Sequence, residues 1–359
     1  MRTAPPEMAE AARRLFGGGE RGGRAGRPIC TGVGVPDWVV PLAIPTPYPI
    51  GPVTVYLLEG EPLTLIDSGP ATRAARRALV DGLAAAGYRV EAVRRLLVTH
   101  GHHDHFGQAA WLAKGGVEVF AHPHEARNLR QERAYAILWR QLSLAGLPLL
   151  TRLALLAGLL ALDTTARPVS RFAELVEGET LQHSRGRIRV HHLPGHSPGH
   201  LGFELVDAGI MWTGDTLLEG ITPNAVVGPD PEDPTRPFRS LAAYNDSLVK
   251  LERSGVGLLL PGHGPCIRDL SAAIASVRQR QDQRSRQVQR LLDRGPAPVM
   301  ALLRALFPGL PAVETFLAFS EVFGHLLELE RRGRVRRRRL GRRELWELVP
   351  LGPSSAASG

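Results

Sequence analysis

The segment that most constrains this chain is Thr99-His100-Gly101-His102-His103-Asp104-His105, which follows the short apolar run Leu96–Thr99 and precedes a helical pattern starting near Phe106. Four side chains able to hold a metal, His100, His102, Asp104 and His105, thus leave one strand-to-helix loop. Neutral imidazole and carboxylate suit zinc and similar first-row ions, and the alternate spacing lets His100 and His102 face one ion while Asp104 and His105 face another. Surface histidines pair by chance, so a lone His-x-His carries little weight. The full pattern behind a strand is much more specific, and it implies two ions.

Further ligands must come from elsewhere, and three loops that follow apolar strands offer them. His196 lies in Leu193-Pro194-Gly195-His196-Ser197, Asp215 in Trp212-Thr213-Gly214-Asp215-Thr216, and His263 in Leu260-Pro261-Gly262-His263-Gly264. A glycine before each permits a tight turn and close backbone approach. Around them, β-type runs are read at Val53–Leu58, Leu63–Ile66, Leu96–Thr99, Val117–Ala121, Arg187–Leu193, Leu201–Val206, Ile210–Thr213 and Val256–Leu260. Helical spacing is read at Ala71–Ala86, Ser240–Ser254 and Ser271–Arg294, which makes the pattern mixed α/β.

With those motifs in order, residues Val39–Ile267 resemble the metallo-β-lactamase superfamily. The resemblance implies a four-layer αββα sandwich with metals at one edge between two sheets. It also implies that His100, His102 and His196 hold the first ion, that Asp104, His105 and His263 hold the second, and that Asp215 bridges them. Asp67, in Leu65-Ile66-Asp67-Ser68-Gly69, matches the family's early aspartate and would orient a ligand histidine, although a turn-forming role is the competing reading. His200 is a candidate for similar support. His103 occupies the variable position of the motif and is not expected to be a ligand, while His122, His124, His191 and His192 read as loop or solvated histidines.

The remaining segments set the organisation. Residues 1–28, with Gly17-Gly18-Gly19 and Gly22-Gly23, read as a flexible leader with one short helix near Met8–Phe16. Residues 29–294 read as the catalytic domain, interrupted at 124–166 by a leucine-rich helical insertion whose Tyr135 and Trp139 could form a lid over a substrate. Its most apolar part, Leu144–Leu162, is broken by Pro148 and Arg152 and falls short of the roughly 20 residues that a membrane span needs. Residues 295–350 resemble a winged-helix domain attached to some of these hydrolases, and 351–359 read as a disordered tail.

The formal charge of +9 points to an anionic partner if it is concentrated, and nine arginines fall between positions 331 and 343. Arg336, Arg337, Arg338 and Arg339 are therefore candidate nucleic-acid contacts, with a solvated charged face as the ordinary alternative. Two cysteines, Cys30 and Cys266, are too few for a disulfide framework, and no apolar stretch precedes Pro28, so a cytoplasmic location is expected. Oligomeric state is not legible.

The short stretch between Asp215 and His263 leaves no room for the inserted domain of the superfamily's DNA-repair and messenger-RNA-cleaving nucleases. True β-lactamases usually carry cysteine or serine where Asp215 stands, and they are exported. The chain instead resembles glyoxalase II, lactonase and ribonuclease members. The resulting expectation is a hydrolase with two divalent ions, zinc first and iron or manganese also suited, acting through a bridging hydroxide on a small ester, thioester or lactone, with Asp104 orienting the water. The alternative is a single-strand endoribonuclease that holds RNA on the basic wing. A third reading is a metal-dependent regulator whose wing docks on DNA.

Overall fold

The alternation along the β-runs decides how they layer. In the computed structural model, described over residues 34–48, 50–132, 135–221, 227–310, 315–341 and 343–350, they form two sheets. The first contains β1 (Val39–Ile44), β2 (Val53–Leu58), β3 (Thr64–Ile66), β4 (Arg95–Leu97), β5 (Glu118–Ala121) and β6 (Ala173–Glu174), paired in that order. The second contains β7 (Thr180–His183), β8 (Gly186–His192), β9 (Leu201–Leu205), β10 (Ile210–Gly214) and β11 (Leu258–Pro261), also in chain order across the sheet.

Successive side chains on a strand face opposite ways, so each buried strand feeds two cores. Val53, Val55 and Leu57 of β2, Leu65 of β3 and Leu96 of β4 pack outward on α1 (Arg73–Ala85), α2 (His103–Phe106) and α3 (Ala109–Lys114), through Leu79, Leu83, Phe106 and Leu112. Their neighbours Tyr56, Leu58, Ile66 and Leu97 face inward and meet Ile188, Val190, Phe203, Trp212 and Leu260 of the second sheet. Met211 and Leu259 point out the other side, onto Tyr244, Leu248, Leu251, Ile274 and Val277 of α7 (Ser240–Arg253) and α8 (Leu270–Leu292). Helix, sheet, sheet, helix is the αββα sandwich.

Strand direction then gathers the loops. β3, β4 and β5 run parallel, so the turns after Ile66 and Leu97 leave the same edge. β8 and β10 each pair antiparallel with β9, and β10 pairs parallel with β11, so β8, β10 and β11 also end together.

The insertion contains α4 (Ala126–Leu129), α5 (Tyr135–Leu144) and α6 (Leu149–Asp163), with Gly146 (φ 83°) and Pro148 turning the chain between the last two. It shares its core with the C-terminal unit, α9 (Val299–Leu306), α10 (Thr315–Arg331), β12 (Val335–Leu340) and β13 (Arg343–Leu348). Leu142, Ala145, Leu147 and Leu155 pack with Val288, Leu303, Phe319, Phe323, Leu326 and Trp346. β12 and β13 form an antiparallel hairpin over the arginine-rich stretch.

The leader and the tail lie outside the described residues, as does Arg342. Among the described residues no helix is long and apolar enough to cross a membrane. Cys266 is disulfide-bonded.

Candidate metal centre

Three imidazoles converge beyond the ends of β4 and β8. His102 Nδ1 lies 3.0 Å from His100 Nε2 and 2.9 Å from His196 Nε2. Tetrahedral coordination at about 2.1 Å per nitrogen asks for ligand atoms about 3.4 Å apart, close to this spacing. Burial first, and the neighbouring imidazoles next, push the pKa of His100 well below its ordinary value and that of His102 down to about 3. Both rings are therefore neutral near pH 7, the form in which imidazole binds a metal.

A second group adjoins the first. His263 Nε2 lies 3.3 Å from Asp104 Oδ2, and Asp215 Oδ2 lies 3.5 Å from His105 Nε2, 3.6 Å from His196 Nε2 and 3.8 Å from His263 Nε2. One carboxylate oxygen thus stands between the two groups. His105 Nε2, His263 Nε2 and Asp215 Oδ1 are buried without a hydrogen-bond partner, a costly arrangement that a cation would relieve. Burial would raise the carboxyl pKa values, but His105 and His263 outweigh it, holding Asp104 at about 2 and Asp215 well below the usual range. Burial would likewise lower His105, but Asp215, Asp67 and Asp104 raise it well above an ordinary imidazole.

The surrounding residues fix which nitrogen faces inward. His105 Nδ1 donates to Asp67 Oδ2 at 2.7 Å, and His263 Nδ1 donates to the Pro52 carbonyl at 2.9 Å, so both present Nε2 to the centre. Asp67 is itself held by the Thr99 amide and hydroxyl, both at 2.8 Å. His200 stacks on His100 with ring centroids 4.6 Å apart, and its Nε2 accepts the Asp215 amide N–H at 3.1 Å. Both expected supporting residues therefore touch ligand candidates.

Two glycines show why the loops carry the residues they do. Gly195 adopts φ 145°, and a Cβ there would lie 2.5 Å from Tyr244 Cα. At Gly262 a Cβ would lie 2.6 Å from His105 Cε1 and 2.8 Å from Asp215 Oδ1, inside the centre itself.

Other histidines stand apart. His103 turns away to the end of α6, with Nδ1 donating to the Leu162 carbonyl at 3.0 Å and Nε2 3.6 Å from Asp163 Oδ1. His191 donates to Glu204 at 2.6 Å. His122, His124 and His192 also cluster, but His122 and His192 stack nearly parallel at 4.0 Å, so their in-plane lone pairs run side by side without converging. His122 Nδ1 accepts the His124 amide and His192 Nε2 donates to the Pro198 carbonyl, which commits one nitrogen of each to the main chain.

The expected lid residues sit at joints of the insertion: the Tyr135 hydroxyl donates to Asp163, and Arg152 lies over the Trp139 ring at 4.7 Å. On the wing, Arg336 pairs with Glu347 at 2.7 Å and Arg337 with Glu330 at 2.7 Å, while Arg338 and Arg339 are exposed. Sequence reasoning missed Tyr48, whose hydroxyl meets Thr165 Oγ1 at 2.6 Å, and Glu125, whose carboxylate lies behind the histidine loops. Neither carries a motif; Glu125 is one acid in a polar stretch whose burial depends on distant packing.

Comparison with known proteins agrees with this geometry. The profile of the metallo-β-lactamase superfamily matches residues 48–263. A probable metallo-hydrolase of Bacillus subtilis, YqjP, is 31% identical over 300 residues, covering 81% of this chain and 92% of the relative. An atrochrysone carboxyl ACP thioesterase of Aspergillus fumigatus is 27% identical over 275 residues, covering 73% of this chain and 70% of its own length. Hydroxyacylglutathione hydrolase GloC of Haemophilus influenzae is 32% identical over 126 residues, 35% of this chain and 50% of that protein. Among solved structures, the metallo-β-lactamase family protein TTHA1429 of Thermus thermophilus superposes with a TM-score of 0.76 at 30% identity, covering 87% of this chain and 99% of the other. The His/Asp clusters support divalent metal binding, and the chain belongs to the metallo-β-lactamase superfamily of hydrolases.

Proposed function

We propose that the protein is a dinuclear metal-dependent hydrolase acting on a small ester, thioester or lactone. The observation that carries this reading is the position of Asp215 Oδ2, within 3.5 to 3.8 Å of His105, His196 and His263 Nε2. In this assignment His100, His102 and His196 hold one ion, Asp104, His105 and His263 hold the other, and Asp215 serves both; zinc suits the donor set best, with iron or manganese also compatible. When bound, the ion pair supplies Lewis-acid activation of water near neutral pH. Asp104, kept ionised by His105 and His263, would orient the attacking water by accepting a hydrogen bond from it. Asp67, Thr99, Pro52 and His200 keep the ligand side chains aimed, so little reorganisation accompanies reaction.

The acyl reading draws support from the surroundings and from the relatives whose names are thioesterase and hydroxyacylglutathione hydrolase. α6 leaves Leu150, Leu153, Leu160 and Leu162 exposed, and its last turn is tied to His103, the residue between His102 and Asp104. The endoribonuclease reading rests on the hairpin arginines, where the Glu330 and Glu347 pairs already offset part of the charge. A catalytic domain over 29–294 and a winged-helix domain over 295–350, used for packing or for nucleic acid, complete the proposal. The test is a metal-loaded screen of thioesters, lactones and single-stranded RNA with Asp104→Ala as the blank. Thioester or lactone turnover lost in the variant supports the reading; turnover that survives in Asp104→Ala, or cleavage of RNA alone, overturns it.

A further inference from the structure

Glu125 opens the helical insertion and is fully buried, yet it is far in sequence from every ligand candidate. Its Oε2 accepts the Gly101 amide N–H at 3.1 Å and the Asn128 side-chain amide at 2.7 Å, and its Oε1 accepts the Gly199 amide N–H at 2.8 Å. Gly101 lies between His100 and His102, and Gly199 lies three residues after His196 and directly before His200. One carboxylate therefore spans the two loops that carry all three imidazoles of the first group.

The fit is tight on both sides. A Cβ on Gly199 would lie 2.8 Å from Glu125 Cγ, and one on Gly101 would lie 2.5 Å from Asn128 Cβ and closer still to Glu125 Oε2. The two loops can approach Glu125 this closely because neither carries a side chain there. Electrostatics point the same way. The ligands of that group other than the shared Asp215 are all imidazoles, which bring no negative charge, so a divalent ion there has little carboxylate charge of its own, while the three groups bonded to Glu125 are N–H donors. The two oxygens of Glu125 accept all three of those N–H groups, the partners a carboxylate is suited to, directly behind the loops that carry the imidazoles.

From this geometry we infer that Glu125 is a positioning residue that sets the spacing of His100, His102 and His196 and supplies the counter-charge for the ion they hold. The inference rests on assigning those histidines to one ion. Glu125→Gln keeps the side-chain length, removes the charge and turns an NH2 group towards a backbone N–H. The full-length protein is stripped with a chelator and reloaded with Co(II), and the two binding steps are followed by visible absorption and chelator competition, beside the melting temperature of the apo protein. Loss of a ligand-orienting partner costs metal affinity about 10- to 100-fold. The expected result is a fall of that size in one binding step with the other step near wild type, a selectivity that any general lowering of the apo melting temperature by the buried NH2 does not produce. Should Glu125→Gln fold poorly, Asn128→Ala, which leaves the carboxylate in place but less firmly held, reads the same effect as a smaller fall in that one step. Unchanged affinity in both steps, or an equal loss in both that tracks the apo melting temperature, overturns the inference. Whether the wild-type protein shows two binding steps at all tests the dinuclear assignment separately.

Discussion

His105 and Asp67 form a buried pair in which the imidazole Nδ1 donates to the carboxylate at 2.7 Å, while the other ring nitrogen points at Asp215 Oδ2, 3.5 Å away. Asp67 holds its place at φ 61°, a conformation that asparagine and aspartate tolerate better than most residues. Asp67→Asn therefore keeps the turn but weakens the hold on His105. Metal affinity is expected to fall about 10-fold or more, read by chelator competition, with secondary structure by circular dichroism unchanged.

Acid sensitivity of the metal-free protein follows from the buried histidines. His102, His122 and His325 are each lowered to about 3, chiefly by burial, so between that value and the ordinary 6.5 the unfolded chain binds protons that the folded chain does not. Their stabilising contribution is present above pH 6.5 and is lost as pH falls towards 3; Asp104, lowered to about 2 from 3.8, extends the loss further. His105 and His263, raised above 6.5, act in the opposite sense, contributing fully below 6.5 and losing that contribution as pH rises through their folded values. A series of apo melting curves from pH 4 to pH 8 should show a steady fall below about 6.5.

Gly262 offers a steric test that leaves every ligand in place. A methyl group there meets His105 Cε1 and Asp215 Oδ1 on opposite sides, at 2.6 and 2.8 Å. Gly262→Ala should purify with about one ion or fewer per chain by elemental analysis, whereas Gly264→Ala, where a Cβ meets nothing within 4 Å, should keep the wild-type content despite the local strain of φ 76°.

The candidate metal loop was legible because His100, His102, Asp104 and His105 are neighbours in sequence, and the candidates His196, Asp215 and His263 because each follows an apolar strand. Short, nearly continuous apolar runs likewise revealed β2, β4 and β10. What escaped is what depends on distant packing. β7 (Thr180–His183) is mostly polar and only partly buried, so no apolar period marks it. Glu125 becomes a clamp only because Gly101 and Gly199 are brought to it. The arginine cluster read as a nucleic-acid contact or a solvated face, and its ion pairs were not legible: Glu328 accepts from both Arg331 and Arg332, and Glu330 and Glu347 accept from Arg337 and Arg336.

Shared packing also changes what truncation should do. An acyl hydrolase with an independent tail would be indifferent to loss of residues 296–359, but Leu142, Leu147 and Leu155 of the insertion are buried against that segment. A chain ending at position 295 exposes them, and size-exclusion chromatography should show aggregation or a strongly reduced soluble yield compared with the full-length protein.

If Asp215 joins two ions into one hydrolytic centre, removing its carboxylate should cost the protein one of them. The most direct measurement is the zinc content of reconstituted wild-type and Asp215→Ala protein by elemental analysis, paired with thioester turnover on the same samples. Two ions per wild-type chain, with one or fewer in the variant and turnover lost, is the predicted result. An Asp215→Ala protein that retains two ions and hydrolyses the thioester at the wild-type rate would contradict the account.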